Sequence, residues 1–338
     1  MNRKLAIINF IFVLLLVSAC SEQAQTPESQ TVPETLDEVS IQMSWIHEYS
    51  FAFLHNAEKN GHFAEQGLAV TFKEGGFSEA GSIDPIEEVL QGNAQFGTID
   101  ASGILLAQQQ GKPVVAVLST LHRSPNAIIS LTEAGIVRPQ DMVGKTIAVG
   151  EGGSKRVYDQ LLVSQNIDPE TVNTVERTSF GIDPLLDGEV DAIFGWIINE
   201  AVMIEEADLT FNSIAMSDYA VDTYNSLIFT TQDIIDNNPE LVQRFVTANI
   251  AGMQDILNDT EASIDNTLQY DPELDRDAQL RRMNAMIPLM NVSNLPLGSM
   301  QIEVWEVAEQ ILLADGALED PIDLETVFTT KFITDTES

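Results

Sequence analysis

From residue 39 onward the chain alternates short apolar runs with amphipathic stretches that close on glycine, and few folds accommodate that alternation. Runs at 39–44, 68–73, 95–99 and 113–118 read as strands. Between them 51–59, 85–90 and 103–110 carry helical periodicity and stop at Gly61, Gly92 and Gly111, where a helix end favours a left-handed residue. Strand, helix, strand in this order predicts an α/β fold on a mainly parallel sheet. A second series follows, with strands at 127–131, 146–149, 172–176 and 191–194 and helices at 155–164 and from Glu200. After Asn225 one more strand, 226–230, precedes helices at 239–257, 262–269, 277–286 and 300–313. This order predicts a discontinuous first lobe, 39–121 with 226–338, around a second lobe at 122–225. The chain then crosses between lobes twice, near 121–125 and 217–226, and paired crossings make a hinge.

The N-terminus is of another kind. Arg3 and Lys4 precede an apolar run over 5–17, broken only by Asn9, and then Ser18, Ala19 and Cys20. The run is shorter than the ~20 residues of a membrane-spanning helix, and with its basic start it predicts a signal peptide over 1–19. Val17-Ser18-Ala19-Cys20 resembles the lipobox of bacterial lipoproteins, which implies a diacylglyceryl group on Cys20; the alternative is an ordinary secreted chain. Cys20 is the only cysteine, so the mature chain has no internal disulfide and must hold by its core. Residues 20–38, rich in Ser, Gln, Thr, Glu and Pro, have the composition of a solvated tether. The expected location is the cell envelope, lipid-anchored on its periplasmic or extracellular face.

Fifty-two acidic residues against sixteen basic ones give a net charge of −36. Repulsion from phosphate opposes nucleic-acid binding, and no basic stripe compensates for it. An acidic solvated surface suits a salty medium, where screening acts over ~8 Å.

Several stretches carry a family resemblance. Trp45 through Gly67, with Phe51-Ala52, Ala57, Gly61 and Phe63-Ala64-Glu65-Gln66-Gly67-Leu68, is similar to the opening of ABC-transporter solute-binding proteins related to the thiamine-pyrimidine synthases. Gly111-Lys112-Pro113-Val114-Val115-Ala116-Val117, Gly144-Lys145-Thr146-Ile147-Ala148-Val149-Gly150 and Asp187-Gly188-Glu189-Val190-Asp191-Ala192-Ile193 agree with it. Gly195-Trp196-Ile197-Ile198-Asn199-Glu200 looks like the aromatic-then-Asn-Glu segment of the formylaminopyrimidine- and hydroxymethylpyrimidine-binding branch. The resemblance implies a two-lobed periplasmic-binding-protein fold of type II. It also implies capture of a small molecule for an ABC permease and its ATPase, and a monomer without cofactor or metal.

The candidate ligand contacts lie where predicted strands end. Trp45, His47, Tyr49 and Phe51 follow the first strand, and Asp100 follows the third. Gly152, Gly153 and Ser154 join a strand to a helix and can aim N–H groups at a polar oxygen, or form an ordinary turn. Trp196 can stack on a flat ring while Asn199 and Glu200 meet an aminopyrimidine's donor and acceptor. The structural alternative makes Asn199 a helix N-cap and Glu200 a first-turn acid. His47, His55, His62 and His122 show no compact metal spacing, and Trp305 sits at core spacing with Ile302, Ala308, Ile311 and Leu312.

The expected function is therefore uptake of a thiamine-related pyrimidine. Riboflavin, a sulfonate or nitrate are alternatives within the class, and a carboxylate at Glu200 argues against the small anions. A pyrimidine-synthase-like enzyme is the rival from another class, disfavoured because such enzymes carry a cysteine-rich motif and this chain has only Cys20. A ligand-sensing module on a membrane receptor is the third reading. Cys20→Ser is expected to move the protein from the membrane to the soluble fraction; unchanged membrane association, with no lipid on the wild type by mass spectrometry, would refute the anchor.

Overall fold

The computed structural model describes residues 35–78, 81–179, 181–292 and 295–333. The signal segment 1–19, Cys20 and the tether as far as residue 34 lie outside the described residues. The described chain opens with β1 (Asp37–Gln42), a 3-10 turn at Tyr49–Phe51, α1 (Ala52–Lys59), α2 (His62–Glu65), β2 (Leu68–Lys73) and a hairpin of β3 (Phe77–Ser78) and β4 (Gly81–Ser82). α3 (Pro85–Leu90), β5 (Phe96–Ile99), α4 (Ala101–Gln109) and β6 (Val114–Ser119) follow. It continues through β7 (Asn126–Leu131), β8 (Thr146–Val149), α5 (Gly153–Ser164), β9 (Asn173–Glu176), α6 (Asp183–Leu186), β10 (Ala192–Trp196), α7 (Ile197–Glu206) and β11 (Phe211–Ala215). The return is β12 (Leu227–Thr231), α8 (Gln232–Asn237), α9 (Pro239–Asn258), α10 (Thr260–Thr267), α11 (Arg276–Met290) and α12 (Ile302–Asp315).

Two five-stranded sheets result, ordered β2-β1-β5-β12-β6 and β11-β7-β10-β8-β9. In each, four strands run one way and one runs against them: β12 in the first sheet, β7 in the second. Those two are the first strands after each passage between sheets. β6 delivers the chain to the carboxyl edge of the first sheet, so β7 enters the second sheet from its facing edge and must run away from it. The passage from β11 to β12 repeats this in reverse.

Side-chain alternation divides each sheet between two cores. Val115 and Val117 of β6 enter the core beneath α1 and α9, whereas Val114 and Ala116 enter the one that holds α4 and the fully buried Trp305. In the second sheet Ile147 and Val149 face α5, and Ala148 faces the opposite side with Ile129 and Ile193. A runs-only reading of the sequence locates these strands because they are apolar on both faces. It overlooks β11, whose Phe211, Asn212 and Ser213 are only half-buried at a sheet edge.

Hydrogen bonds tie the two passages together. Thr120 N–H donates to the Ser226 carbonyl (2.9 Å), Ser124 N–H to Asp222 Oδ1 (2.8 Å) and Ser124 Oγ to Asn225 Oδ1 (2.6 Å). Arg123 reaches Asp218 (2.6 Å) and Ser217 (2.8 Å). Burial raises the Asp222 carboxyl pKa against the pull of the Ser124 N–H.

On the far side of the first sheet, His47 Nδ1 and His55 Nε2 stand 2.9 Å apart, and His55 Nδ1 is 3.0 Å from Thr267 Oγ1. The Thr267 hydroxyl donates to the Ser263 carbonyl (3.1 Å), so it accepts from His55 Nδ1–H, and His55 Nε2 accepts from His47 Nδ1–H. Both rings stack on Tyr270, with centroids 4.9 and 4.4 Å away. Burial, His47 and Lys59 hold the His55 pKa well below its ordinary 6.5; burial lowers that of His47 against Glu74 and Asp271. A depressed histidine contributes stability above its unfolded pKa, and that contribution is lost as pH falls through about 6.5 toward the folded value. The unfolding free-energy advantage of wild type over His55→Gln, measured by denaturant titration, is therefore expected to shrink between about pH 7.5 and pH 5, by up to about 1.4 kcal/mol per pH unit. A gap that stays constant across that range would contradict the neutral relay.

Candidate functional site

The carboxyl ends of β1, β5, β8 and β10 carry the candidate residues, as an open α/β sheet places a ligand crevice. They gather into two groups. The first surrounds the N-terminus of α7. Trp196 is its N-cap residue, half-buried, and packs against the core of the first sheet; Ile198, two residues on, is fully buried in that core. Asn199 is therefore inside the first turn and is not the N-cap that its residue type suggests. Its Oδ1 accepts the Tyr49 hydroxyl proton at 2.7 Å. Tyr49 is fully buried, its N–H donates to Gln279 Oε1 (2.8 Å), and burial pushes its phenol well above the usual range, so the hydroxyl remains a donor. Tyr49 thus joins α11 and α7.

Glu200 supplies the cap that Trp196 cannot. Its Oε2 accepts the Trp196 N–H (2.9 Å), and its Oε1 pairs with Arg177 Nη2 (2.9 Å), with both side chains at least nine-tenths buried. An ion pair at that depth stands or falls as a unit. Removing one partner leaves a buried uncompensated charge, which costs about 3–5 kcal/mol, far above the 0.3–1 kcal/mol of an exposed first-turn acid.

The second group lies between α4 and α5. Asp100 caps α4, accepting the Gly103 N–H at 2.7 Å. Its carboxylate is solvent-accessible, yet the protein crowded around it raises its pKa, with Arg156 of α5 opposing that rise. Gly152 has φ 70° and ψ −122°, a conformation open to glycine and strained for other residues, and no side chain caps the α5 helix that follows it. Arg156 also approaches Asp315 of α12 at 3.7 Å.

The remaining candidates sit elsewhere. His47 is committed to His55 and Tyr270, and its N–H donates to Glu74 Oε1 (3.2 Å). Phe51 is 4% exposed and belongs to the core with Phe53. Trp45 is half-buried, lies over Gly76 and packs on the same core. Trp305 is fully buried, in line with its helical spacing. Arg177, Gln279 and Arg156 escape a reading that looks for aromatic and acidic ligand contacts. Arg177 directly follows β9, so the same strand-end rule that selects Trp196 would have found it. Glu48, raised by burial and offset by Arg282, also stands beside Tyr49.

Among the described residues no three His, Cys, Asp or Glu side chains are grouped to hold a metal ion. Two open surface depressions, of about 670 and 610 Å³, lie along α10 and between α7 and α11; none of the candidates lines either.

Comparison with known proteins fits this geometry. The riboflavin-binding protein RibY of Chloroflexus aurantiacus is 26% identical over 342 residues, covering 96% of this chain and 96% of its own. The formylaminopyrimidine-binding protein of Halalkalibacterium halodurans is 24% identical, covering 97% and 98%. Among solved structures, the periplasmic aliphatic sulphonate binding protein SsuA of Escherichia coli superposes with a TM-score of 0.68 at 12% identity, over 88% of this chain and 94% of that one. The fold is the two-lobed α/β fold of periplasmic solute-binding proteins. The family model described as NMT1/THI5 like matches residues 48–263, and the chain belongs to that family.

Proposed function

We propose that this chain is an extracytoplasmic solute-binding lipoprotein of an ABC importer, which closes its lobes on a flat nitrogen heterocycle of the thiamine-precursor pyrimidine type. The observation that carries the reading is the head of α7, where a half-buried indole, an amide and a carboxylate converge and a tyrosine arrives from the other lobe. A heterocycle stacked on Trp196 would find an acceptor and a donor within one helical turn. The lobes are assigned to 39–121 with 226–338 and to 122–225, with the hydrogen-bonded passages as the hinge. Cys20 holds the lipid, residues up to 38 form the tether, and the protein acts as a monomer that hands its ligand to the permease.

Riboflavin is the second reading. The relative named for that ligand aligns over almost the whole chain, and an isoalloxazine offers the same ring face and imide pattern. Sulfonate and nitrate lose the objection raised against them from sequence, because Arg177 neutralises Glu200; they have no flat ring for Trp196. Catalysis is not proposed. The synthases that share the family resemblance use a cysteine-rich motif, and Cys20 is the only cysteine here.

A thermal-shift panel of aminopyrimidines, riboflavin, sulfonates and nitrate discriminates these readings: the true ligand at 100 times its dissociation constant is expected to stabilise the protein by about 2.7 kcal/mol. Stabilisation by sulfonate or nitrate alone would overturn the heterocycle. Trp196→Leu, which keeps apolar bulk and removes the ring, is expected to lower heterocycle affinity by about tenfold to a hundredfold, the ~1–3 kcal/mol of a lost stacking partner. Calorimetry showing wild-type affinity in that variant would take the ring out of the site.

A further inference from the structure

Arg177 has no counterpart among the groups expected to touch ligand, yet its guanidinium organises the head of α7. Nε donates to the Ser179 carbonyl (3.2 Å), Nη1 to the Phe194 carbonyl (2.7 Å), and Nη2 to the Gly181 carbonyl (2.9 Å) and to Glu200. One planar fork therefore fixes the loop after β9, the end of β10 and the first turn of α7. Its place depends on Gly195. A Cβ there would stand 2.6 Å from the Glu200 carboxyl carbon and 2.9 Å from Arg177 Nη1, so only glycine lets the pair lie on the strand end. Glu200 Oε2 accepts the Trp196 N–H and Oε1 pairs with Arg177, and a carboxylate oxygen can accept a second hydrogen bond whereas a guanidinium cannot.

We infer that Arg177 is a positioning residue for the ligand site: it holds Glu200 as half of a neutral pair, so the head of α7 reads a ligand by hydrogen bonds and a ring face and not by net charge. This rests on the heterocycle-binding reading above. The inference assigns the site a ligand class, neutral or singly anionic, because the carboxylate that would repel an anion is already matched. A lysine could supply the charge without the fork that reaches three carbonyls.

The test compares wild type with Arg177→Met, Arg177→Lys and the double variant Arg177→Met/Glu200→Gln. One arm measures the dissociation-constant ratio of riboflavin phosphate to riboflavin by flavin fluorescence. The other uses no ligand: in a Trp45→Phe background, with Trp305 fully buried, Trp196 is the quenchable indole, and iodide is compared with acrylamide. Arg177→Met is expected to raise the phosphate-to-neutral ratio about fivefold and to lower iodide quenching relative to acrylamide, as an uncompensated charge close by would. Arg177→Lys and the double variant are expected to stay within about twofold of wild type in both ratios. A merely structural arginine would weaken both flavins alike and leave the ratios unmoved, and that result in folded Arg177→Met overturns the inference. Should Arg177→Met fail to fold, Glu200→Gln decides: it leaves the guanidinium unmatched and is expected to move both ratios the opposite way, and unmoved ratios in that folded variant overturn the inference. Absence of flavin binding in wild type removes riboflavin as ligand and leaves the quenching ratio to decide on Arg177.

Discussion

Both sheets are shaped by one constraint: the chain must pass between them twice at the same edge. A strand that enters from that edge cannot run with its neighbours, and this is why β7 and β12 are the two antiparallel strands in otherwise parallel sheets. The remaining strands end at the shared edge. Asp100 and Gly152, which follow β5 and β8, and Trp196, which ends β10, are delivered there without any further instruction. The hydrogen bonds of Ser124 with Asp222 and Asn225 hold the two passages as neighbours.

Much of this order was legible in the residues because apolar runs buried on both faces leave a continuous signal. β6 and β8 are of that kind. β11 is not, since an edge strand half-covered by one neighbour needs no such run. The start of α7 shows a different limit. Asn199 has the ordinary chemistry of an N-cap, but Ile198 is drawn into the core of the first sheet and the helix begins earlier, leaving a tryptophan at the cap and a glutamate to satisfy its N–H. Tertiary burial decided a boundary that local preference would have set elsewhere. His47 was claimed likewise by partners outside its own loop, His55 eight residues on and Tyr270 more than two hundred. Residue type marked His47 as cleft lining, but nothing local could announce Tyr270.

The distribution of arginine adds a second layer. The chain has sixteen basic residues against fifty-two acidic ones, and Arg156 and Arg281 each tie a helix of the 122–225 segment to one of the 226–338 segment. Arg281 pairs with Glu206 at 2.6 Å between α11 and α7, and Arg156 with Asp315 between α5 and α12. Acidic surface elsewhere is left to solvent and salt, which screen it. Arg177 and Glu200 are the buried exception, at 9% and 8% exposure, and there an unmatched carboxylate would cost far more.

Local neutrality and global charge then act on a ligand at different stages. The field of a chain carrying −36 extends about a Debye length into solvent and slows the approach of any anion, an effect on association rate that weakens with salt. Once inside, the ligand meets matched pairs, and its charge matters less than its hydrogen-bonding edge. A neutral heterocycle is indifferent to the first stage and well served by the second. A singly anionic one would bind with similar contacts at the head of α7 but arrive more slowly, with a rate that rises with ionic strength. On the proposed reading, selection among related ligands would divide between the surface, which acts on charge through the rate of arrival, and the site, which acts on shape and hydrogen bonds through the lifetime of the complex.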